Sequence, residues 1–338
     1  MNRPQLRKIC ADENIPYLRG RLEKAGVAVD YLDQNAFTPQ SIAGADALLI
    51  RTRTRIASPL LENSDVRLVA TATIGMDQID IPYAESLGVT VRNSPGCNAP
   101  GVAQYVWSAL LRLGFDPASQ TLGVVGKGNV GRIVVEWGRR LGARVIVCDP
   151  PRARRGEEDE QYLPLEELMR QADAVTFHTP LTRDGEDPTW HLAAEQELSL
   201  LRDGAIVVNA ARGGVVANDA LREELRKGRL RAVVDTWEGE PRLDRELLDL
   251  VDYGTFHIAG YSRQGKERAT RMIMEAVEDC FGVELDKSGL CGPYMEPEEL
   301  TPKKIIDSYD PALDTEPLRD APEEFDRLRH DYIYREEV

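Results

Sequence analysis

The chain has 338 residues, of which 42% are hydrophobic and 29% are charged, and its acids outnumber its bases by 57 to 42. This composition is typical of a globular protein of about two domains and excludes a disordered chain. The net charge of −15 argues against nucleic-acid binding and against docking on an anionic membrane, because both need clustered lysine and arginine.

Short β-branched runs alternate with helix-like stretches along the chain. The first series of predicted strands covers residues 8–11, 27–31, 46–50, 68–72 and 89–91. Helices are predicted over 16–24 and 79–87, between these strands. The second series of predicted strands covers residues 121–125, 144–148, 174–177, 205–209, 231–234 and 254–256. Strands that alternate with helices form parallel sheets covered on both faces, so the pattern predicts two α/β lobes with doubly wound parallel sheets.

Two longer helices organise these predicted lobes. A helix over 98–113 is expected to join them, and a late helix over 266–280 to pack back onto the first lobe. The composition then changes, since residues 283–338 carry a net charge of −9 and 6 of the 20 prolines. Within this segment, residues 292–322 show little periodicity and are predicted to be largely extended.

A glycine-rich motif follows the first strand of the second lobe. It runs Gly126-Lys127-Gly128-Asn129-Val130-Gly131. A buried strand leads into this G-x-G-x-x-G pattern, and a helix that ends at Gly142 leads out of it. Gly126 permits the tight turn, Gly128 lets a pyrophosphate approach the backbone, and Gly131 lets the helix lie close to the strand. The context favours a dinucleotide site over a glycine turn that binds no nucleotide.

The next strand ends at Asp149, 23 residues after Gly126. A carboxylate at this position accepts hydrogen bonds from the ribose hydroxyls of NAD and repels the additional phosphate of NADP. Arg152, three residues further on, weakens that exclusion. The alternative for Asp149 is a solvated carboxylate at a strand end.

Three polar residues each follow a predicted strand of the second lobe: Arg212, Glu240 and His257. The carboxyl ends of parallel strands open onto a common crevice, so these side chains are expected to converge. Together they suit hydride transfer from a hydroxy acid, with histidine as the base, the carboxylate as its orienting partner and arginine as the clamp for a substrate carboxylate. His178 also lies at a strand end, and the residues alone leave it an equal candidate for the base.

Four runs carry a resemblance to a known family: 126–131, 209–214 (Asn-Ala-Ala-Arg-Gly-Gly), 235–241 (Asp-Thr-Trp-Glu-Gly-Glu-Pro) and 257–260 (His-Ile-Ala-Gly). They resemble the D-isomer-specific 2-hydroxyacid dehydrogenases. The resemblance implies a Rossmann NAD-binding domain at 98–258 and a flavodoxin-like substrate domain at 1–97 and 259–282. It also implies a C-terminal dimerisation segment at 283–338, shorter than the family pattern.

The resemblance also implies residue roles. Arg212, Glu240 and His257 become the catalytic set, which favours His257 over His178, and Asp235 is placed at the nicotinamide amide. The predicted NAD contacts are Gly126, Gly128, Asn129, Val130, Gly131, Asp149, Thr179, Ala210, Ala211, Arg212, Asp235 and Gly260. Finer runs at 94–99 and 257–261 are similar to a family member that oxidises a small phosphorylated 2-hydroxy acid. By position, its substrate contacts are Thr52, Thr71 and Tyr261.

Arginines alternate in the run 50–55, at Arg51, Arg53 and Arg55. On an extended segment all three would point the same way, and such a row of cations suits a phosphomonoester. We expect at least one to bind the substrate phosphate, Arg51 and Arg53 above all. Spacing alone favours the alternative, a solvated face paired with surface acids.

The sequence also bears on the compartment, the oligomeric state and the function class of the protein. No secretory signal or membrane span is evident, and the five cysteines have neither disulfide nor metal spacing, so we expect a cytoplasmic homodimer without a metal site. Two rival functions are another dehydrogenase of the same family, of the phosphoglycerate or glyoxylate type, and a non-catalytic NAD-sensing module. The complete Arg-Glu-His set argues against the sensor.

Overall fold

The computed structural model describes residues 5–156 and 160–338. The chain divides into two compact units. Unit 1 contains Met1–Asn98 and Arg263–Met295, and unit 2 contains Ala99–Ser262 and Glu296–Val338. The acidic segment 283–338 is therefore shared between the units rather than forming one of its own.

The strands, in chain order, are β1 Lys8–Asp12, β2 Ala28–Leu32, β3 Ala47–Ile50, β4 Leu68–Thr71, β5 Thr90–Arg92, β6 Thr121–Val125, β7 Arg144–Cys148, β8 Ala174–Phe177, β9 Ile206–Asn209, β10 Arg231–Val234 and β11 Tyr253–Gly254. The α-helices are α1 Ile81–Ser86, α2 Ala99–Arg112, α3 Asn129–Arg140, α4 Pro150–Arg155, α5 Leu165–Gln171, α6 Glu195–Ser199, α7 Asn218–Arg226, α8 Arg245–Leu250, α9 Arg263–Phe281, α10 Pro302–Ser308, α11 Ala312–Asp320 and α12 Phe325–His330. In the described residues, no helix is long and apolar enough to cross a membrane.

Both sheets are parallel, as the alternating pattern predicts. The sheet described in unit 1 has the order β2-β1-β3-β4-β5, the flavodoxin-like arrangement. The sheet described in unit 2 has the order β11-β10-β9-β8-β6-β7. In each sheet the strand order reverses beside the first strand, at β1 and at β6, and such switch points are where ligand crevices open. The fold class is confirmed.

Apolar side chains cover both sheets. In unit 1, Ile273 and Met274 of α9 pack in one core cluster with Ile9 of β1, which confirms that this late helix belongs to the first lobe. In unit 2 the aromatic rings of Trp107 and Trp137 are fully buried. Burial of such large side chains contributes roughly 1.5–3 kcal/mol each, or more, to the stability of the layers that carry the site.

Two predicted segments are wrong. Residues 16–24 form turns and only a short 3-10 helix at Glu23–Ala25, because Tyr17 and Gly20 have φ of 61° and 84°, in the left-handed region that interrupts a helix. Residues 292–322 contain α10 and α11 and are not largely extended. The start of α10 is set by capping, since the Thr301 hydroxyl accepts a hydrogen bond from the Lys304 backbone N–H at 3.3 Å.

Candidate active site

The glycine motif forms the tight connection from β6 to α3. Gly126 has a φ of 89°, and a Cβ there would lie 2.9 Å from the His178 carbonyl oxygen. A Cβ on Gly131 would lie 1.9 Å from the Gly126 carbonyl oxygen, so both positions require glycine. A Cβ on Gly128 would meet no atom within 4 Å, which leaves open space at the start of α3. Open space above free N–H groups is what a bound pyrophosphate requires.

Asp149 holds the glycine motif and the following helix together. Its Oδ2 accepts a hydrogen bond from the Lys127 backbone N–H at 2.7 Å, and its Oδ1 accepts one from the Arg152 backbone N–H at 3.1 Å. The second bond makes Asp149 the N-cap of α4. The Arg152 guanidinium lies 3.8 Å from the same carboxylate. The carboxylate is thus fixed at the end of β7, beside the glycine turn, where the ribose contact is predicted.

The side chain of Thr179 carries an unpaired hydroxyl at the end of β8. Its hydroxyl oxygen is buried and has no hydrogen-bond partner among the described residues. A buried unpaired hydroxyl costs about 1–3 kcal/mol unless a bound group satisfies it. The site therefore fits a cofactor at the end of β8, and the contact of Thr179 with NAD stays a prediction.

The carboxyl ends of β9, β10 and β11 lie in register, since Val234 pairs with both Asn209 and Gly254. Arg212 follows β9, Glu240 follows β10 and His257 follows β11, all at the same edge of the sheet. The turn that carries Arg212 is fixed by Asn209, whose side-chain amide donates to the Arg212 carbonyl oxygen at 3.1 Å. Ala210 and Ala211, both predicted NAD contacts, lie in this turn.

Glu240 and His257 form a direct pair. His257 Nδ1 and Glu240 Oε1 are 2.6 Å apart, and the second carboxylate oxygen of Glu240 accepts a hydrogen bond from the Trp237 backbone N–H at 3.1 Å. Burial works to raise the pKa of the Glu240 carboxyl, but the hydrogen bond and charge of His257, together with the Trp237 backbone hydrogen bond and the charge of Arg329, outweigh it and hold that pKa below its ordinary value. Glu240 is thus ionised at neutral pH and fixes the orientation of the imidazole, whose Nε2 is the nitrogen left for a substrate.

Backbone strain marks the same histidine. His257 has a φ of 60°, which is uncommon for a residue with a Cβ. Its backbone N–H donates to the Asp235 carbonyl oxygen at 2.9 Å. Such conformations persist only where surrounding contacts enforce them, and they concentrate at functional sites.

Asp235 enforces the conformation of the segment that follows His257. Its buried carboxylate accepts hydrogen bonds from the Thr255 hydroxyl at 2.6 Å and from the backbone N–H groups of Ile258 and Ala259 at 2.7 and 3.0 Å. The family resemblance implies that this aspartate contacts the nicotinamide amide, and that contact stays a prediction. The structure shows a structural role that the motif alone did not reveal.

His178 occupies a different environment. Its Nε2 lies 3.0 Å from the Thr176 hydroxyl, and burial lowers the pKa of its imidazole to about 3. A side chain with this pKa is a weak base at neutral pH. The structure therefore separates the two histidines that the residue types alone left equal.

Tyr261 lies at the end of the segment that His257 begins. Its ring contacts those of Tyr332 and Tyr334, with centroids 6.1 and 6.0 Å apart. Gly260 precedes it in the same turn. The C-terminal residues of unit 2 thus pack directly against a predicted substrate contact.

The predicted substrate residues of unit 1 lie in the segment after β3 and at the last position of β4. The Arg51 guanidinium donates to the Asn14 carbonyl oxygen at 2.6 Å, and the Thr71 hydroxyl lies 2.7 Å from that of Thr73. Thr52 and Arg53 are exposed. The extended segment assumed for the arginines is wrong, because residues 52 and 53 form a turn. A common direction for the arginine side chains therefore cannot be derived from their alternation.

The comparisons with known proteins agree with this geometry. Residues 96–259 match the family model described as D-isomer specific 2-hydroxyacid dehydrogenase, NAD binding domain. An erythronate-4-phosphate dehydrogenase of Bacteroides fragilis is 42% identical, over 98% of this chain and 97% of that protein. The chain belongs to this dehydrogenase family.

Further relatives show the same pattern. The erythronate-4-phosphate dehydrogenase of Escherichia coli is 42% identical, over 98% of this chain and 92% of that one. A solved NAD+-bound 3-phosphoglycerate dehydrogenase of Entamoeba histolytica has a TM-score of 0.69 at 23% identity, covering 82% of this chain and 96% of that one, which supports the fold. NAD is therefore the cofactor of the domain that carries the glycine motif.

Sequence reasoning missed several residues that hold the site. Trp237 supplies a backbone donor to Glu240, and its indole donates to the Thr255 carbonyl oxygen at 2.7 Å. The Thr255 hydroxyl also lies 2.8 Å from the hydroxyl of Tyr105 on α2. Trp237 and Thr255 lie close in the chain to Asp235 and His257, and this proximity was the available signal for them. No nearby motif pointed to Tyr105.

Proposed function

We propose that the chain oxidises 4-phospho-D-erythronate at C2 to 2-oxo-3-hydroxy-4-phosphobutanoate with NAD, a step in pyridoxal phosphate synthesis. The observation that carries the proposal is the 2.6 Å pair of His257 and Glu240 at the strand ends of an NAD-binding domain. Relatives that align over nearly the whole chain bear the name of this activity. The chain is thus assigned both a reaction type and a substrate.

His257 accepts the proton of the C2 hydroxyl. Its Nδ1 is engaged by Glu240, so Nε2 is the atom that takes the proton. The ionised carboxylate stabilises the imidazolium that forms, because opposite charges at this distance attract strongly where solvent is partly excluded. NAD, when bound, supplies the acceptor for the hydride from C2.

Arg212 binds the C1 carboxylate of the substrate. Its guanidinium is planar and always charged, so it matches the two carboxylate oxygens and polarises the neighbouring C2 oxygen. Its place in the fixed turn after β9 keeps this charge at the sheet edge that His257 also occupies. The two residues therefore act on adjacent atoms of one small molecule.

The cofactor is held by the residues around the glycine motif. We assign the pyrophosphate to the backbone at Gly128, Asn129, Val130 and Gly131, and the ribose to Asp149. Gly126 keeps the turn. Thr179, Ala210, Ala211, Arg212, Asp235 and Gly260 are the further proposed contacts. The open space at Gly128 and the unpaired Thr179 hydroxyl support these assignments.

The substrate contacts are proposed at Thr52, Thr71 and Tyr261, with the phosphate bound by Arg51 or Arg53. A phosphomonoester accepts charge-assisted hydrogen bonds, which are stronger than neutral ones. The exposed donors after β3 support a role in binding a charged ligand.

Formation of NADH by the purified chain tests the proposal. The panel contains 4-phosphoerythronate, 3-phosphoglycerate, glycerate and D-lactate at equal concentrations. We expect kcat/KM to be highest for 4-phosphoerythronate. A higher value for 3-phosphoglycerate would assign a different family activity, and no turnover of any substrate together with NAD binding would favour a sensor.

We also propose that the chain is a cytoplasmic homodimer that associates through its C-terminal segment. The support is that Leu313 and Ile333 of that segment are 72% and 89% exposed and line the same surface cavity. Exposed apolar side chains near one another favour a protein interface. Light scattering measures the molar mass of the purified chain and of the Leu313→Asp variant. We expect the mass of a dimer for the unmodified chain and a lower mass for the variant; a monomeric mass for the unmodified chain would reject the dimer.

A further inference from the structure

The last residues of the chain reach the segment that follows His257. Arg335 Nη1 donates to the carbonyl oxygens of Ile258 and Tyr261 at 3.0 and 3.3 Å. Its Nη2 donates to the carbonyl oxygen of Gly101 at 2.9 Å and also to that of Ala259. One guanidinium thus satisfies three carbonyl groups of a single turn and one at the start of α2.

The tail around Arg335 is itself docked. Arg335 and Ser262 form a parallel backbone bridge, and the Gln104 side chain donates to the Glu336 carbonyl oxygen at 2.9 Å. The Arg335 guanidinium also lies over the ring of Tyr309, 4.5 Å from its centroid. This many contacts restrict the arginine to one position.

Opposite charges hold the two sides of the same turn. The Asp235 carboxylate binds the N–H groups of Ile258 and Ala259, and the Arg335 guanidinium binds the carbonyl groups of the same two residues. The backbone donor and the backbone acceptor of each of these two residues are therefore both held. The residue immediately before this turn is His257, with its left-handed backbone.

We propose that Arg335 is a positioning residue for catalysis, which holds the 258–261 turn so that His257 meets its substrate in the productive orientation. The C-terminal tail thereby becomes part of the active-site support. Lysine cannot replace Arg335, because an ammonium group lacks the planar fork that reaches several carbonyl groups at once. The inference rests on the proposed function for its kinetic readout.

Three variants test this role in the full chain. Arg335→Met removes the donors, Arg335→Lys retains only the charge, and Arg327→Met is the matched control because Arg327 belongs to the same tail but has a side chain that is 63% exposed. We expect kcat per folded molecule to fall about 30- to 100-fold in Arg335→Met and about 10-fold or more in Arg335→Lys. NAD affinity is expected to fall less than kcat, because the glycine motif is untouched and Gly260 is the one proposed NAD contact in the turn that Arg335 holds.

Two further readouts separate positioning from general stability. Hydrogen exchange of amides 257–262 is expected to accelerate in both Arg335 variants and not in Arg327→Met. A fourth variant, Arg335→Ala, leaves room for a small cation, and added guanidinium, with sodium chloride at equal ionic strength as the control, is expected to restore part of its kcat.

Unchanged kcat and unchanged exchange in Arg335→Lys would overturn the proposal, and so would equal losses in Arg327→Met. If Arg335→Met does not fold, Arg335→Lys decides. Failure of the unmodified chain to oxidise 4-phosphoerythronate would reject the proposed function instead. The hydrogen-exchange measurement would still test whether Arg335 stabilises the 258–261 turn.

Discussion

The polar groups at the strand ends of unit 2 and of unit 1 are held in different ways. In unit 2, Glu240 and His257 bind each other at 2.6 Å, and the carboxylates of Glu240 and Asp235 accept further hydrogen bonds of 2.6–3.1 Å from nearby backbone and hydroxyl groups. In unit 1, Thr52 and Arg53 are exposed in a turn after β3. Proton transfer needs a fixed tautomer and a tuned pKa, whereas recognition of a phosphate needs accessible donors. The contrast therefore predicts losses of turnover from changes in unit 2 and losses of substrate affinity from changes in unit 1.

The largest effect is expected from His257→Asn, which removes the proton acceptor. We expect kcat to fall by about 10³-fold while NAD still binds, because the glycine motif is untouched. His178→Asn is the matched comparison, since burial holds the pKa of His178 at about 3. Steady-state NADH formation measures both variants. A larger loss in His178→Asn would return the role of the base to that residue.

A smaller loss is expected from Arg212→Lys, which retains the charge but removes the planar fork. We expect kcat/KM to fall about 100-fold, because the substrate carboxylate loses its two-point hydrogen bonding. Pre-steady-state and steady-state kinetics on the same preparation measure the change. Arg242→Lys, at an exposed position of the same unit, is the control. An Arg212→Lys enzyme with unaltered kcat/KM would contradict the clamp.

In unit 1 the expected change is in KM. At least one of Arg51→Gln and Arg53→Gln is expected to raise the KM for 4-phosphoerythronate about 10-fold with little change in kcat, since one charge-assisted hydrogen bond contributes roughly 1.5–3 kcal/mol. Arg67→Gln, exposed in the same unit, serves as the control. Wild-type KM values in Arg51→Gln, Arg53→Gln and Arg55→Gln alike would reject the phosphate assignment.

The smallest effect concerns stability in the C-terminal part of unit 2. Burial raises the pKa of Asp314 from 3.8 to about 6, although the Tyr309 hydroxyl donates to its carboxylate at 2.8 Å. The folded chain therefore favours the protonated form of Asp314. The contribution of this protonated carboxyl to the free energy of unfolding is fully present below the unfolded pKa of 3.8 and is lost as the pH rises through about 6. Asp314→Asn is expected to be more stable than the unmodified chain by about 1–2 kcal/mol at pH 8 and equally stable at about pH 3.5. Chemical denaturation at the two pH values measures the difference, and an equal difference at both would contradict the titration of Asp314.

The elements predicted correctly share one property. Strands such as β6 and β9 are short, continuous apolar runs, and the glycine motif lies between a strand and a helix, so neighbouring residues contain the whole signal. The helix expected over 16–24 failed because the left-handed backbone of Tyr17 does not follow from its residue type. Helices α10 and α11 were missed because neither has a clear period: α10 is specified by its Thr301 cap, and α11 by the burial of Thr315 and Leu318.

Local patterns in the amino-acid sequence were enough to establish two parallel α/β lobes, the NAD motif and the candidates Arg212, Glu240 and His257, because motifs and periodicity reside in adjacent residues. Only the folded chain decided which histidine is paired, since the 2.6 Å contact of His257 and the burial of His178 depend on residues brought together from elsewhere. The same holds for Arg335, which lies 78 residues after His257 and reaches its turn through the docked tail. Long-range contacts fix pKa values, tautomers and strained backbones, and these properties turn a set of suitable residues into a site.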